Sequence, residues 1–424
     1  MKVFLDMIGC RLNQSEIEKF ASQFRAAGHE IVGTAAEADY VVINTCAVTS
    51  EAASDSRQKI RQAARTSPSE IIVTGCWSTL DAAGARALPG VTRVVANEGK
   101  DRLVRQLLNL PEAEYDLEPV ARAPLPGAHL RTRAFIKVQD GCDNHCTFCV
   151  TRIARGAGRS RTMAEVLDDI HAAVDGGVQE VVLTGVHLGS WGQDFEQPEH
   201  LRDLVAAVLR RSSVPRLRLS SLEPWDLDED FFSLWSDPRL CPHLHLPLQS
   251  GAAETLRRMA RKTTPDTFAR LVEAARKAAP GAAISTDIIV GFPGESDAAF
   301  TESLNFVRQM EFASGHVFTY SARPGTAAAK MRPQIHGEVR KQRGAQMRAV
   351  VAESAERYRA QFLGAEADVL WESTDAYGPT GWRLHGLTGN YLRVTALSHE
   401  RLWNQISKVR LVGIEGELMQ GEIQ

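Results

Sequence analysis

Cys142, Cys146 and Cys149 fall within eight residues, in the run Gly141-Cys142-Asp143-Asn144-His145-Cys146-Thr147-Phe148-Cys149. Whatever this chain folds into, one loop must hold three thiols side by side. Thiolates are soft ligands, and this density suits iron–sulfur or zinc. A closed structural site wants four protein ligands, and the loop offers no fourth cysteine. Three ligands leave one metal position open to a cofactor and to chemistry. The competing readings are a structural zinc knuckle and three unrelated core thiols.

The triad stands inside a long alternation of strands and helices. At 424 residues the chain is too long for one ordinary domain. Residues 1–110 give strands at 2–7, 40–44 and 71–74. Asn13, with Glu16 at the capping-box position, is read as opening a helix striped by Ile17, Phe20, Ala21 and Phe24 and ended by Gly28. Continuous apolar strands between helices imply a parallel sheet covered on both faces. Residues 111–126, rich in Pro, Ala and Glu, read as a linker. Residues 127–362 give six more strands, at 134–139, 180–184, 216–220, 243–248, 284–290 and 316–320. They include a helix capped by Thr162 with Glu165 three residues on, and end in a helical connector over about 337–362. Six such units predict a partial (β/α)6 barrel with its chemistry at the C-terminal strand ends. Residues 363–424 change to short strands separated by turns, the pattern of a small β-barrel. The fold class is therefore α/β: a parallel-sheet domain, a partial barrel and a small terminal β-barrel.

Three more cysteines are scattered in sequence but not in position. Cys10, Cys46 and Cys76 each stand just past a strand of the first domain. Strands of one parallel sheet end on one edge, so these thiols can converge there; three buried core cysteines are the alternative. No apolar run approaches the ~18 residues of a membrane span, and the N-terminus reads as a strand rather than a signal peptide. A cytoplasmic setting follows, where cysteines are thiols or metal ligands.

The CxxxCxxC run resembles the radical-SAM signature, in which three cysteines hold a [4Fe-4S] cluster whose free iron chelates S-adenosylmethionine. Downstream strand ends match in order: Leu183-Thr184-Gly185, Ser220-Ser221-Leu222-Glu223, Leu248-Gln249-Ser250-Gly251, Val290-Gly291-Phe292-Pro293-Gly294 and Ser321-Ala322-Arg323-Pro324-Gly325. The resemblance implies that Gly185, Ser220, Glu223, Gln249 and Gly291 border the cofactor. With Gly9-Cys10-Arg11-Leu12-Asn13-Gln14, Asn44-Thr45-Cys46-Ala47-Val48-Thr49 and Thr74-Gly75-Cys76, nearly the whole chain resembles the methylthiotransferase family. That family carries a second [4Fe-4S] cluster on its N-terminal cysteines and ends in a TRAM-like RNA-binding domain. Among its branches, the residues after Cys10 and Cys46 are most similar to enzymes that insert a methylthio group at C2 of N6-threonylcarbamoyladenosine at position 37, in the tRNA anticodon loop. Isopentenyladenosine in tRNA, or an aspartate of a ribosomal protein, are the alternative substrates; a non-catalytic metal-containing RNA sensor is the alternative of another class. The resemblance also implies an external electron donor and a sulfur source, and no membrane. One departure is Arg152, where the family often has Pro in a Pro-x-x-Arg-Gly pattern.

Net charge is −3, so an RNA contact must come from a local patch. Arg152, Arg155, Arg159 and Arg161 behind the cluster loop are read as phosphate contacts. In the last domain Arg393 and Lys408, with aromatics such as Tyr391, suit an unpaired loop. Cys241, His187, His243, His245, His316, Trp77 and Trp191 are expected to serve packing or structure.

Overall fold

The computed structural model describes residues 1–66, 70–110, 132–378 and 381–424. The linker expected over 111–126 lies outside the described residues. The first unit is a parallel sheet in the order β2-β1-β3-β4-β5: β1 (Lys2–Met7), β2 (Glu30–Ile31), β3 (Tyr40–Thr45), β4 (Glu70–Gly75) and β5 (Val91–Val95). β2 is only two residues long, and β5 is half-exposed with Thr92 and Arg93 interrupting its valines, so neither forms the continuous apolar run that announces a strand in sequence.

Alternation along the central strands covers both faces. Val42 and Ile72 pack with Ile17, Phe20 and Phe24 of the helix Arg11–Ala26. Val41, Ile43, Ile71 and Val73 pack with Ile60 and Ala63 of the helix Ser50–Thr66. The helices after β1 and β3 thus lie on opposite faces. The chain parts there, which opens a crevice at the C-terminal edge of an open parallel sheet.

The expected capping box is corrected by the structure. The first helix begins at Arg11, with Cys10 at the N-cap and no side-chain cap. Asn13 lies inside the helix and donates to Ile8 O (2.7 Å) and Thr45 O (3.2 Å). Glu16 is buried in a charge cluster. Ser, Asn and Glu spaced this way match a cap and a buried polar seam equally well in sequence. Thr162 and Glu165 do form their capping box.

The second unit is a half-barrel of parallel strands. β6 (Arg133–Lys137), β9 (Glu180–Thr184) and β10 (Arg216–Leu219) form one sheet, and β11 (His243–His245), β12 (Ala283–Val290) and β13 (Ser314–Thr319) another. Single bridges at Leu217–Leu240 and Ser221–His245 join them into a six-strand arc. The hairpin β7 (Gln139–Asp140) with β8 (Arg159–Ser160) brackets the cluster loop. Register sorts the faces. Ala134, Ile136, Val181, Leu183, Leu217 and Leu219 turn outward into the main apolar core. Arg133, Glu180 and Arg218 alternate with them on the concave side.

The helix Gly337–Ala360 leads to a closed barrel of β14 (Glu366–Tyr377), β15 (Gly381–Thr388), β16 (Arg393–Ser398), β17 (Ile406–Glu415) and β18 (Leu418–Ile423), in the order β14-β15-β16-β18-β17. Its core holds Val369, Trp371, Leu384, Val394, Val409 and Met419. Closure removes free sheet edges.

Candidate iron–sulfur centres

Cys142, Cys146 and Cys149 occupy one loop at the C-terminal end of β6, each partly accessible. Backbone bonds lock the loop: Cys142 N to Gly156 O (3.1 Å), Cys149 N to Cys146 O (3.1 Å) and Thr147 N to Met259 O (3.0 Å). Gly141 has φ +72°, and a Cβ there would strike the Ala157 carbonyl, so the turn into the loop demands glycine. Burial pushes the Cys146 thiol up to about 11, although Arg261 opposes the rise. A metal ion must therefore displace protons as it binds.

Arg261 is the residue that sequence reading missed here. It donates to Glu223 (3.1 and 2.6 Å) and to Pro247 O (2.5 Å), and Nη1 lies 3.8 Å from Cys146 Sγ. Nothing in its local sequence sets it apart from the other arginines. Glu223 is thus the partner of a cation beside the triad. Gly185 packs on Gln139, whose Oε1 accepts from Val186 N (3.0 Å) and His187 N (2.8 Å). Gln249 adopts φ +73°, and Gly291 N donates to Glu295 (2.7 Å). Ser220 Oγ is buried at the end of β10 with no partner among the described residues. His187 donates to Asp226 (2.6 Å) beside Asn144 and Cys142.

The second triad also assembles. Cys10, Cys46 and Cys76 follow β1, β3 and β4 at the crevice edge, and each of Cys10 and Cys46 feels the charge of neighbouring sulfur. Gly9 has φ +110°, and a Cβ there would sit 2.6 Å from Cys46 Sγ. Burial pushes Cys46 up to about 11.

The two triads belong to neighbouring surfaces. The helix Thr151–Arg155, two residues beyond Cys149, packs on the helix Cys76–Leu80. Arg323 donates to Val48 O (3.1 Å) just beyond Cys46. Among the described residues no three His, Cys, Asp or Glu surround a single metal ion. A cubane cluster binds each thiolate through a different iron, so its ligands need not meet at one point. The thiol donor sets and the orphaned Ser220 hydroxyl fit such a group and its cofactor.

The arginine patch is corrected in part. Arg152 and Arg159 are exposed, and Arg152 donates to the His145 ring (2.8 Å). Arg161 pairs with Asp169 (2.7 Å). Arg155 is only 3 % exposed and belongs to an internal charge cluster with Glu16 and Asp140. Arg393 is exposed on the terminal barrel, where Lys408 also stands. Tyr391 instead turns inward: its hydroxyl accepts from Arg11 (2.6 Å), its ring stacks on His243 (centroids 4.3 Å), and Arg218 lies over it. Cys241, Trp77 and Trp191 are packed in cores.

Residues 136–307 match the Radical SAM superfamily, and residues 2–96 match a family described as uncharacterized protein family UPF0004. The chain is 35% identical to the threonylcarbamoyladenosine tRNA methylthiotransferase MtaB of Bacillus subtilis, over 96% of this chain and 92% of that one. It is 33% identical to the tRNA-2-methylthio-N(6)-dimethylallyladenosine synthase of Cereibacter sphaeroides, over 88% and 87%. Among solved structures, the radical S-adenosylmethionine methyltransferase TsrM of Kitasatospora setae shares the fold at TM-score 0.60 and 15% identity, over 77% and 75% of the chains. With two cysteine triads on adjoining parallel sheets and full-length likeness to such relatives, this chain belongs to the radical-SAM methylthiotransferase family.

Proposed function

We propose that this enzyme inserts a methylthio group at C2 of N6-threonylcarbamoyladenosine at position 37 of tRNA. The observation that carries the reading is the pairing of two open thiol triads, one on each sheet edge, across the helix that follows Cys149. One triad suits radical generation and the other suits sulfur delivery to the same carbon. The similarity to the Bacillus subtilis enzyme and the Cys10-Arg11-Leu12-Asn13-Gln14 run support the threonylcarbamoyl substrate. The dimethylallyladenosine relative supports a second reading, with the same chemistry on that base.

Cys142, Cys146 and Cys149 would hold one [4Fe-4S] cluster, and Cys10, Cys46 and Cys76 a second. When bound, the first supplies the electron that cleaves S-adenosylmethionine, and the second presents sulfur. The chain does the positioning. Arg261 holds a positive charge beside Cys146 and fixes Glu223 at the cofactor edge. Ser220 offers an unengaged hydroxyl, and Gly185, Gln249 and Gly291 would border the cofactor at the strand ends. Cys46 and Cys76 are buried, and Cys142, Cys146 and Cys149 partly so, which limits the water that reaches a reactive site. Arg152, Arg159, Arg393 and Lys408 would meet anticodon-loop phosphates and bases. An external electron donor and sulfur source complete the cycle, in a cytosolic setting. No helix among the described residues is long and apolar enough to cross a membrane.

Nucleoside analysis of tRNA from a deletion strain tests the substrate. Loss of the methylthio group from threonylcarbamoyladenosine supports the proposal. Its persistence, with loss from isopentenyladenosine, supports the second reading. Anaerobically reconstituted protein that never cleaves S-adenosylmethionine refutes both.

A further inference from the structure

We propose that Arg155 is a positioning residue for the N-terminal triad: the half-barrel extends its guanidinium onto the sulfur of Cys76 and sets the charge felt by a cluster on Cys10, Cys46 and Cys76. The inference rests on the reading of that triad as a cluster site.

Arg155 is the last residue of the helix that starts two residues past Cys149. Its guanidinium is engaged on every edge. Nε donates to Cys76 Sγ (3.3 Å), and Nη1 donates to Glu16 (3.0 Å) and Asp140 (2.8 Å). Nη2 donates to Asn13 Oδ1 (2.9 Å), the atom that Cys10 Sγ approaches at 3.9 Å. One side chain from the barrel thus reaches two of the three N-terminal cysteines, one directly and one through an amide. A fixed planar fork makes this possible, and a lysine has no such geometry.

A staple between domains would need only the carboxylates. The N–H aimed at sulfur is what a staple does not explain. Three thiolates carry one more negative charge than an oxidised cubane core neutralises. A buried cation against one of them, where solvent screens weakly, offsets that excess and favours the reduced, more negative state. Hydrogen bonds to cluster sulfurs act in the same direction on the potential. Glu16 and Asp140 hold the cation in place and partly offset it, and Lys100 (2.7 Å from Glu16) balances Glu16 in turn.

The test uses full-length chain carrying Cys142→Ala, Cys146→Ala and Cys149→Ala, reconstituted anaerobically with ferrous iron and sulfide, so that only the N-terminal centre is read. Iron and sulfide content and the midpoint potential are measured with Arg155→Gln, Arg155→Lys and Asp140→Asn added. Arg155→Gln should lower the potential by about tenfold in the reduction equilibrium, about 59 mV for one electron. Arg155→Lys should lower it less, and Asp140→Asn, which removes a neighbouring negative charge, should raise it. Opposite signs from two members of one network are not expected of general loosening. Unchanged potentials in folded variants, or shifts of one sign throughout, overturn the proposal. If Arg155→Gln fails to fold, the Lys and Asn variants decide alone. A background chain that takes up no iron refutes the reading of the triad itself, and the proposal falls with it.

Discussion

Replacing Glu180 by Gln should cost this protein about 4 kcal/mol and detach its terminal barrel from the half-barrel. Glu180 opens β9 and is fully buried. Its carboxylate accepts two bonds from Arg218 (2.7 and 3.0 Å) and lies 2.8 Å from Arg216 Nη2. Arg218, itself fully buried, continues to the Thr388 and Gly389 carbonyls of the terminal barrel. Removing the acid leaves buried guanidiniums without a counter-charge, a change that typically costs about 3–5 kcal/mol. At about 2–3 °C per kcal/mol for a cooperative unit of this size, the thermal transition should fall by about 10 °C.

The pH dependence follows from the same contacts. Burial alone would raise the Glu180 carboxyl, but Arg218 and Arg216 outweigh it and hold it at about 2, below its ordinary 4.5. A depressed carboxyl contributes stability that is complete above its unfolded value and is lost as pH falls through its folded one. The wild-type protein should therefore lose this contribution between about pH 4.5 and 2, and the Gln variant should lack that part of the slope. Calorimetry across this range checks both statements. A transition within about 2 °C of wild type would refute the argument, as would recovery no better in a Glu180→Leu, Arg218→Met double variant, which removes both charges at once.

Arg261→Met, by removing the cation from Cys146 and Glu223, should slow S-adenosylmethionine cleavage by about 10–100-fold without altering the melt of the N-terminal sheet; single-turnover product analysis reads it. Gly141→Ala should lower the iron content of the barrel centre while the N-terminal centre survives, which Mössbauer spectroscopy of single-triad backgrounds resolves. Arg393→Glu with Lys408→Glu should weaken tRNA binding and reduce its salt slope by about 1.4, since each phosphate of an unpaired strand left without its cation takes about 0.7 off the slope; filter binding at several salt concentrations measures it, and an unchanged slope would remove these residues from the interface. Tyr391→Phe should destabilise the protein by about 1 kcal/mol, because Arg11 loses its hydroxyl partner in a half-buried place; denaturant titration follows it.

The strand–helix alternation was legible because apolar runs with glycine or cysteine behind them can form little else. The expected segments 40–44, 180–184 and 284–290 lie within or on β3, β9 and β12. The placement of Cys142, Cys146 and Cys149 was legible because they share one short loop, and that of Cys10, Cys46 and Cys76 because parallel strands share an edge, so position along the chain translated into position in space. The polar seam was not. Asn13, Glu16 and Arg155 have local partners in sequence that match a cap and a basic patch. Their actual partners include Thr45, Lys100 and Asp140, which lie 32, 84 and 15 residues away in the chain with no periodicity to announce them. Arg261 was missed, and Tyr391 was read as an RNA contact, for the same reason: each acts through a neighbour far away in the chain.

Lys137, at the end of β6, reaches Asp140 (3.4 Å), Asp101 (3.1 Å) and Glu16 (3.9 Å), and so joins the half-barrel to the same group of charges that surrounds Arg155. Charges matched only across a junction behave as a lock and its own key. Chimeras that graft the N-terminal sheet of one relative onto the barrel of another should work only when these partners are exchanged as a set, which makes the junction a barrier to domain shuffling.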